Sequence, residues 1–456
     1  MNYAELLAER AEQYGDKPFL MGEKTVSYRQ MLQNVRRMEC SLEARAKGKT
    51  TAIRSERPEF QLTAFFAVSA VGGIPVLIPA GQPERSLISL LETPEISGLL
   101  EDDAEGRSPG CDTIGSFLFR DTGFSSPSHE DVCMGVLTSG STGMPKLYFR
   151  SYDSWAGFFP VQNGIFQVDS GTVLFLNGSM SFTGNLNTAL SVLWAGGTLV
   201  ESAALSPGKW ADLLESRPVT HIYLVPAKLH LLERALKAPH GKVKVIFTGS
   251  QQLTKENLSR LRQKFPSARI LLYYGASELS YVTWLTDAEL EKRPDSVGRP
   301  FPGVKVTVRD GLVYADSPWH VAGVTPPLTV SDRGVLDGDG YLFLEGRSDG
   351  IVNVGGVKVS LGKVESALRK IDGVSACAAV AYPEKKRGSR IAVFLVSQGL
   401  MTGNDVRNRL KTELLPRELP AKIHFLSELP LNGSGKPDTA ALEKMAAGFD
   451  SKTEKD

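Results

Sequence analysis

Cysteine is scarce in this sequence: Cys40, Cys111, Cys133 and Cys377 stand far apart among 456 residues, with no Cys-x-x-Cys pair. That spacing excludes a disulfide framework and a structural zinc site, and leaves four reduced, buried thiols as the expectation. The six histidines are equally dispersed. His221, at the head of the apolar run 221–226, reads as a packed residue and not as a metal ligand. Neither sign of charge is in excess, since 52 basic and 51 acidic side chains leave a formal net charge of +1. Such a chain has no field with which to draw nucleic acid or an anionic membrane, so a small molecule is the expected partner. Long apolar runs are missing as well. The segment from Leu62 to Ile78 is broken by Gly72, Gly73 and Pro75, the pattern of a buried helix plus a strand and not of an integral membrane span. The amino terminus, residues 1–10, is amphipathic and charged, without the apolar centre of a signal peptide, so a cytoplasmic location is expected.

What is present is concentrated in one stretch. Leu137-Thr138-Ser139-Gly140-Ser141-Thr142-Gly143-Met144-Pro145-Lys146 crowds hydroxyls, glycines and a terminal lysine behind an apolar run. Glycines let a backbone approach an anion, hydroxyls and N–H groups donate to it, and lysine adds a compact positive charge. The spacing is not that of a Walker A loop, where Gly-Lys is followed by Ser or Thr, because Lys146 follows Pro145 and precedes Leu147. The apolar Leu147-Tyr148-Phe149 that comes next predicts a loop between two strands, with no helix dipole to help hold a phosphate. A plain Ser/Gly surface hairpin is the competing reading of this stretch taken alone.

The order of the residues resembles the signature loop of the adenylate-forming superfamily, which includes acyl-CoA synthetases, nonribosomal peptide adenylation domains and luciferases. Further motifs follow in family order. Tyr273-Tyr274-Gly275-Ala276-Ser277-Glu278 resembles the Tyr-Gly-x-Thr-Glu element, with Ser277 keeping the hydroxyl. The resemblance implies that Thr138, Ser139, Gly140, Ser141, Thr142, Gly143 and Lys146 grip the ATP phosphates. It sets Tyr274 against the adenine, Gly275 in the nucleotide site, Ser277 on the α-phosphate and Glu278 on Mg²⁺, a hard cation suited to a carboxylate and phosphate oxygens. Thr248-Gly249-Ser250-Gln251 closes the apolar run 243–247 and corresponds to the family's glycine-rich loop, placing Ser250 and Gln251 beside the adenine and the acid. Asp332, and Arg347 in Gly346-Arg347-Ser348-Asp349, would hold the ribose hydroxyls, a carboxylate accepting and a guanidinium reinforcing. Lys436, in Gly433-Ser434-Gly435-Lys436, matches the catalytic lysine.

The same resemblance sets the architecture: an α/β chain with a large amino-terminal domain, 1–348, and a small mobile lid, 349–456. The early segments 25–31 and 65–76 look like structural family elements, a helix packed on a strand. Beyond Gly346 the apolar pattern predicts strands at 376–381 and 391–396 and helices near 364–371 and 405–415. Residues 102–131, rich in Gly, Ser, Pro and acids, read as a surface connection. Asp349 is the expected hinge, and Gly355 and Gly356 would line the tunnel for a thiol. Leu147, Ser331, Asn353 and Lys358 depart from the residues usual in the family.

The implied chemistry is attack of a carboxylate on ATP to give an acyl-adenylate and pyrophosphate, then displacement of AMP by a thiol. Phe182-Thr183 stands where amino-acid-activating members carry Phe-Asp, so the partner for a substrate ammonium is missing. An uncharged acid, fatty or aromatic, is expected, in a pocket of Phe182, Thr183, Gly184, Ser250 and Ala276, where small side chains leave room for a tail. The compact chain favours coenzyme A as acceptor. A carrier protein is the alternative, and an idle nucleotide-binding homologue the minor one.

Overall fold

The computed structural model describes residues 1–80, 84–102, 117–122, 131–138, 146–347, 350–354, 357–384, 388–397, 401–416, 418–433 and 435–448. The side chains of Thr138 and Arg347 are not among what is described.

Short apolar, β-branched runs such as Val173–Asn177 and Val245–Gly249 are buried along nearly their whole length, the signature of parallel strands covered on both faces. Six such strands, Pro18–Met21, Thr198–Ser202, Val173–Asn177, His221–Tyr223, Val245–Gly249 and Arg269–Ala276, lie side by side and parallel. Thr25–Ser27 closes one edge. On the other edge the sheet continues antiparallel through Ser280–Thr286, Ser296–Pro300, Leu342–Arg347, Asp332–Leu336, Leu312–Asp316 and Lys305–Arg309, thirteen strands in all. A second sheet orders six strands as Phe117–Asp121, Gly98–Asp102, Thr50–Arg54, Ile74–Ile78, Val132–Thr138 and Lys146–Ser151.

The helix Pro58–Ala70 is buried on almost every face, as its unbroken apolar sequence requires. It packs against the helices Tyr3–Tyr14 and Tyr28–Ala46 and the strand Ile74–Ile78. With that strand it accounts for the apolar segment Leu62 to Ile78. Among the described residues no helix is long and apolar enough to cross a membrane. The helix Tyr28–Ala46 begins where the sequence signals it, with Ser27 and Gln30 forming a capping box.

A smaller third sheet follows, made of Val357–Ser360, Ile351–Val354, Gly388–Ser397 and Val374–Glu384, with Lys422–Phe425 on Gly388–Ser397. Helices Leu361–Arg369 and Gly403–Leu410 cover it. The expected α/β class, a large amino-terminal domain followed by a small one, is what the chain adopts. At the seam the two parts touch by backbone. A Cβ added at Gly362 would lie 2.5 Å from the Cα of Gly346, and Gly346 has φ +117°, a conformation open essentially to glycine.

Two expectations change. The apolar island within 102–131 is no surface connection, because Phe117–Asp121 is an edge strand paired antiparallel with Gly98–Asp102; the rest of that connection lies outside the described residues, save short flanks. Of the thiols, Cys133 is buried but Cys40 is exposed, since it lies on the outer face of its helix; Cys111 lies outside the described residues.

Candidate active site

Because the central strands run parallel, their carboxyl ends share one edge, and that edge gathers the turns after Asn177, Tyr223, Gly249 and Ala276, the place where open α/β sheets bind ligands. The strand Val132–Thr138 of the second sheet brings its own carboxyl end alongside. Its hairpin partner is Lys146–Ser151, with Thr138 directly opposite Lys146. The candidate phosphate loop therefore lies between two antiparallel strands, as its sequence predicted. Lys146 is exposed. Ser139, Gly140, Ser141, Thr142 and Gly143 lie outside the described residues.

The contact that ties the three turns together is made of hydroxyls. Ser277 Oγ donates to Thr183 Oγ1 at 3.1 Å, and Thr183 Oγ1 reaches the Leu137 carbonyl at 3.5 Å. Thr183 is the first residue of the helix Thr183–Ala195, for which Phe182 is the N-cap, so its hydroxyl bridges to the neighbouring turns and does not cap. Beside this bridge, Tyr274 donates its phenol to Asp332 Oδ2 at 2.5 Å. Asp332 stands directly opposite Arg347 across the strand pair. The two candidate ribose residues, separated by a whole hairpin, thus face one another in register.

The third component arrives from the small domain. Asn432 closes a tight loop by accepting from the Gly435 N–H through its carbonyl at 2.8 Å and from the Lys436 N–H through Oδ1 at 3.1 Å. A Cβ at Gly433 would sit 3.5 Å from the Phe182 ring, and one at Gly435 2.8 Å from Val225 and from the Lys228 stem. The loop with Lys436 is therefore seated against the turn that presents Thr183 and the start of the helix Pro226–Ala235. Ser250 takes φ +67°, a strained conformation for a serine, and such strain gathers at functional turns. Ser331, where the family pattern prefers glycine, has the same φ of +67°, which explains that preference. Gln251 is half-buried beside Ser250, and Gly275 and Ala276 end their strand half-buried. Asp349, Gly355 and Gly356 lie outside the described residues.

Sequence reasoning missed two buried cations. Arg150 is fully buried and donates to the Ser277 carbonyl at 2.6 Å, the Trp319 carbonyl at 3.3 Å and the Ser154 hydroxyl at 3.2 Å. Burial pulls its pKa down to about 10, against the opposing pull of Tyr3 and Glu278. Burial, with a smaller push from Glu278, also raises the Tyr148 phenol. Lys228 is buried and donates to the Asn177 carbonyl at 3.2 Å, and burial alone lowers it to about 8. A lone Arg in a strand and a lone Lys in a helix carry no sequence signal of burial. His221 is packed as expected, bonded to Thr220 Oγ1 at 2.8 Å and to the Gln167 carbonyl at 3.0 Å.

The expected room at Gly184 is not there. A Cβ at that position would overlap the Tyr223 hydroxyl and come within 3.6 Å of the Tyr273 hydroxyl, because two buried phenols already fill that side.

Comparison with known proteins agrees with this geometry. The family model described as AMP-binding enzyme matches residues 7–323, and that for the AMP-binding enzyme C-terminal domain matches residues 363–436. The chain belongs to the AMP-binding, adenylate-forming enzyme family. The uncharacterized acyl-CoA ligase YhfT of Bacillus subtilis is 30% identical over 325 residues, covering 68% of this chain and 67% of the relative. VraA of Staphylococcus haemolyticus, named as a candidate long-chain fatty acid–CoA ligase, is 23% identical across 91% of both chains. Among solved structures, the o-succinylbenzoate coenzyme A synthetase MenE of Bacillus subtilis, in complex with ATP and magnesium ion, superposes with a TM-score of 0.79 at 19% identity, covering 96% of this chain and 98% of that one.

Proposed function

We propose that the protein activates an uncharged carboxylic acid with ATP, through an acyl-adenylate, and transfers the acyl group to coenzyme A, releasing AMP and pyrophosphate. The observation that carries this is the seating of the Asn432–Lys436 loop on Phe182 and Val225, beside the hydroxyl bridge between Ser277 and Thr183. Residues that share no local structure thus meet at one edge of the sheet.

In this reading the phosphates of ATP lie on the 138–146 loop, and Tyr274, Asp332 and Arg347 hold the nucleoside. The adjoining Ser277 hydroxyl and the Lys436 ammonium donate to the α-phosphate as the acid's oxygen attacks it, stabilising charge that grows during transfer. Glu278 directly follows Ser277 of the bridge. A single carboxylate plus phosphate oxygens is the usual donor set for Mg²⁺, so the residues present fit that ion, which would neutralise the triphosphate. Arg150 fixes the carbonyl of Ser277 and so aims the Ser277–Glu278 turn. Thr183 offers no anion to an amino group, which supports an uncharged acid. The small domain, taken as 349–456, would turn at Asp349 to bring Gly355 and Gly356 to the site for the thiol step.

The test is pyrophosphate release with ATP and Mg²⁺ across aliphatic, aromatic and amino acids, with and without coenzyme A, the products identified by mass. Acyl-CoA formation with an uncharged acid supports the reading. Adenylate that accumulates with coenzyme A present and is discharged only by a carrier protein replaces the acceptor. Tight ATP binding without turnover on any acid overturns it in favour of an idle homologue.

A further inference from the structure

The rear of the candidate acid cleft is closed by a rigid wall of phenols. Gly184 directly follows Thr183, and a Cβ there would overlap the Tyr223 hydroxyl. On the facing side Gly249 directly precedes Ser250, and a Cβ there would lie 2.5 Å from the Tyr273 ring. Tyr223 and Tyr273 thus fill the space between the helix Thr183–Ala195 and the strand Val245–Gly249. Their hydroxyls are bonded to each other at 2.9 Å. Behind them Tyr281 packs on Tyr273 with ring centroids 4.2 Å apart, Phe247 stacks on Tyr223 at 5.1 Å, and Phe166 stacks on Phe247 at 4.4 Å. Displacing the wall means repacking five buried rings, and close-packed interiors do not yield that way.

We propose that the acid is compact, on the scale of a benzene ring or a short alkyl chain, because the phenols already fill the space at Gly184, the residue directly after Thr183. What faces Gly184 is the pair of hydroxyls, so a methylene chain pressed on them strips their surroundings and gives no hydrogen bond in return. Medium and long fatty acids are excluded. This rests on the ligase reading, which places the acid between Thr183 and Ser250.

The experiment measures kcat/KM for pyrophosphate release by the full chain with acetate, butyrate, hexanoate, benzoate, decanoate and palmitate. Turnover is expected to peak at one of the first four and to fall at least a hundredfold by decanoate. Tyr223→Ala is expected to raise decanoate at least tenfold relative to butyrate. Tyr223→Phe, which keeps the ring and so the packing, is expected to keep the cut-off at decanoate and to relax it for hexanoate by about tenfold. Wild-type turnover of decanoate or palmitate equal to that of butyrate overturns the wall and leaves the ligase reading standing. Absence of pyrophosphate with every acid overturns the ligase reading and the wall with it.

Discussion

Single residues in this protein act through where the chain puts them and less through what surrounds them in sequence. Lys436 is the clearest case: it is exposed, on a loop whose shape is set by Asn432 and Gly435, the latter at φ +78°. Lys436→Ala is expected to lower adenylation about a hundredfold or more, the scale of one lost preorganised electrostatic contact, while thioester formation from supplied acyl-adenylate stays largely intact. Pyrophosphate exchange and single-turnover thiolysis separate the two, and equal loss of both refutes the role. The loop was legible in the sequence because Asn and Gly at these positions are turn chemistry, and lysine on a glycine-rich loop is rare enough to notice. Arg150 was not legible. Its importance lies in three acceptors contributed by Ser154, Ser277 and Trp319, and nothing at position 150 announces them.

At the scale of elements, the helix Pro226–Ala235 carries a buried ammonium at Lys228, under the turn that ends in Lys436. Folding lowers its pKa from 10.5 to about 8 through burial. A depressed folded pKa means that the unfolded chain holds the proton more tightly between these values. Stability therefore rises as pH climbs from about 8 toward 10.5, and that gain is lost as pH falls through 8. Lys228→Met is expected to flatten this slope and to stabilise the protein at pH 7 by up to about 3 kcal/mol, at 1.36 kcal/mol for each pKa unit. Urea unfolding at pH 7 and pH 10 checks it; an unchanged slope in the variant assigns the pH dependence elsewhere. Elements themselves were largely readable. The strands expected at 376–381 and 391–396 lie inside Val374–Glu384 and Gly388–Ser397, and the helices near 364–371 and 405–415 overlap Leu361–Arg369 and Gly403–Leu410. The strand Phe117–Asp121 was missed because it is a short edge strand whose neighbours in sequence all read as loop, and only pairing with Gly98–Asp102 makes it a strand.

For the molecule as a whole, the contact between Gly346 and Gly362 sets how closely the small domain approaches the large one. A side chain at 362 meets backbone at 2.5 Å, and backbone cannot step aside as a flexible side chain can. Gly362→Val is expected to force the two parts apart, lowering adenylation by more than tenfold, with a larger radius of gyration in X-ray scattering. Unchanged scattering with lost activity would place the effect elsewhere. The sequence by itself determined the family and the order of motifs, because these depend on local chemistry: glycines for close approach, hydroxyls and lysine for an anion, alternation and caps for elements. Only the tertiary structure decided which of those motifs meet. Thr183 and Ser277 are 94 positions apart, and Asp332 faces Arg347 only through strand register. The depth at Gly184 was decided there too, for a glycine in sequence reads as space, whereas the packed fold fills that space with Tyr223.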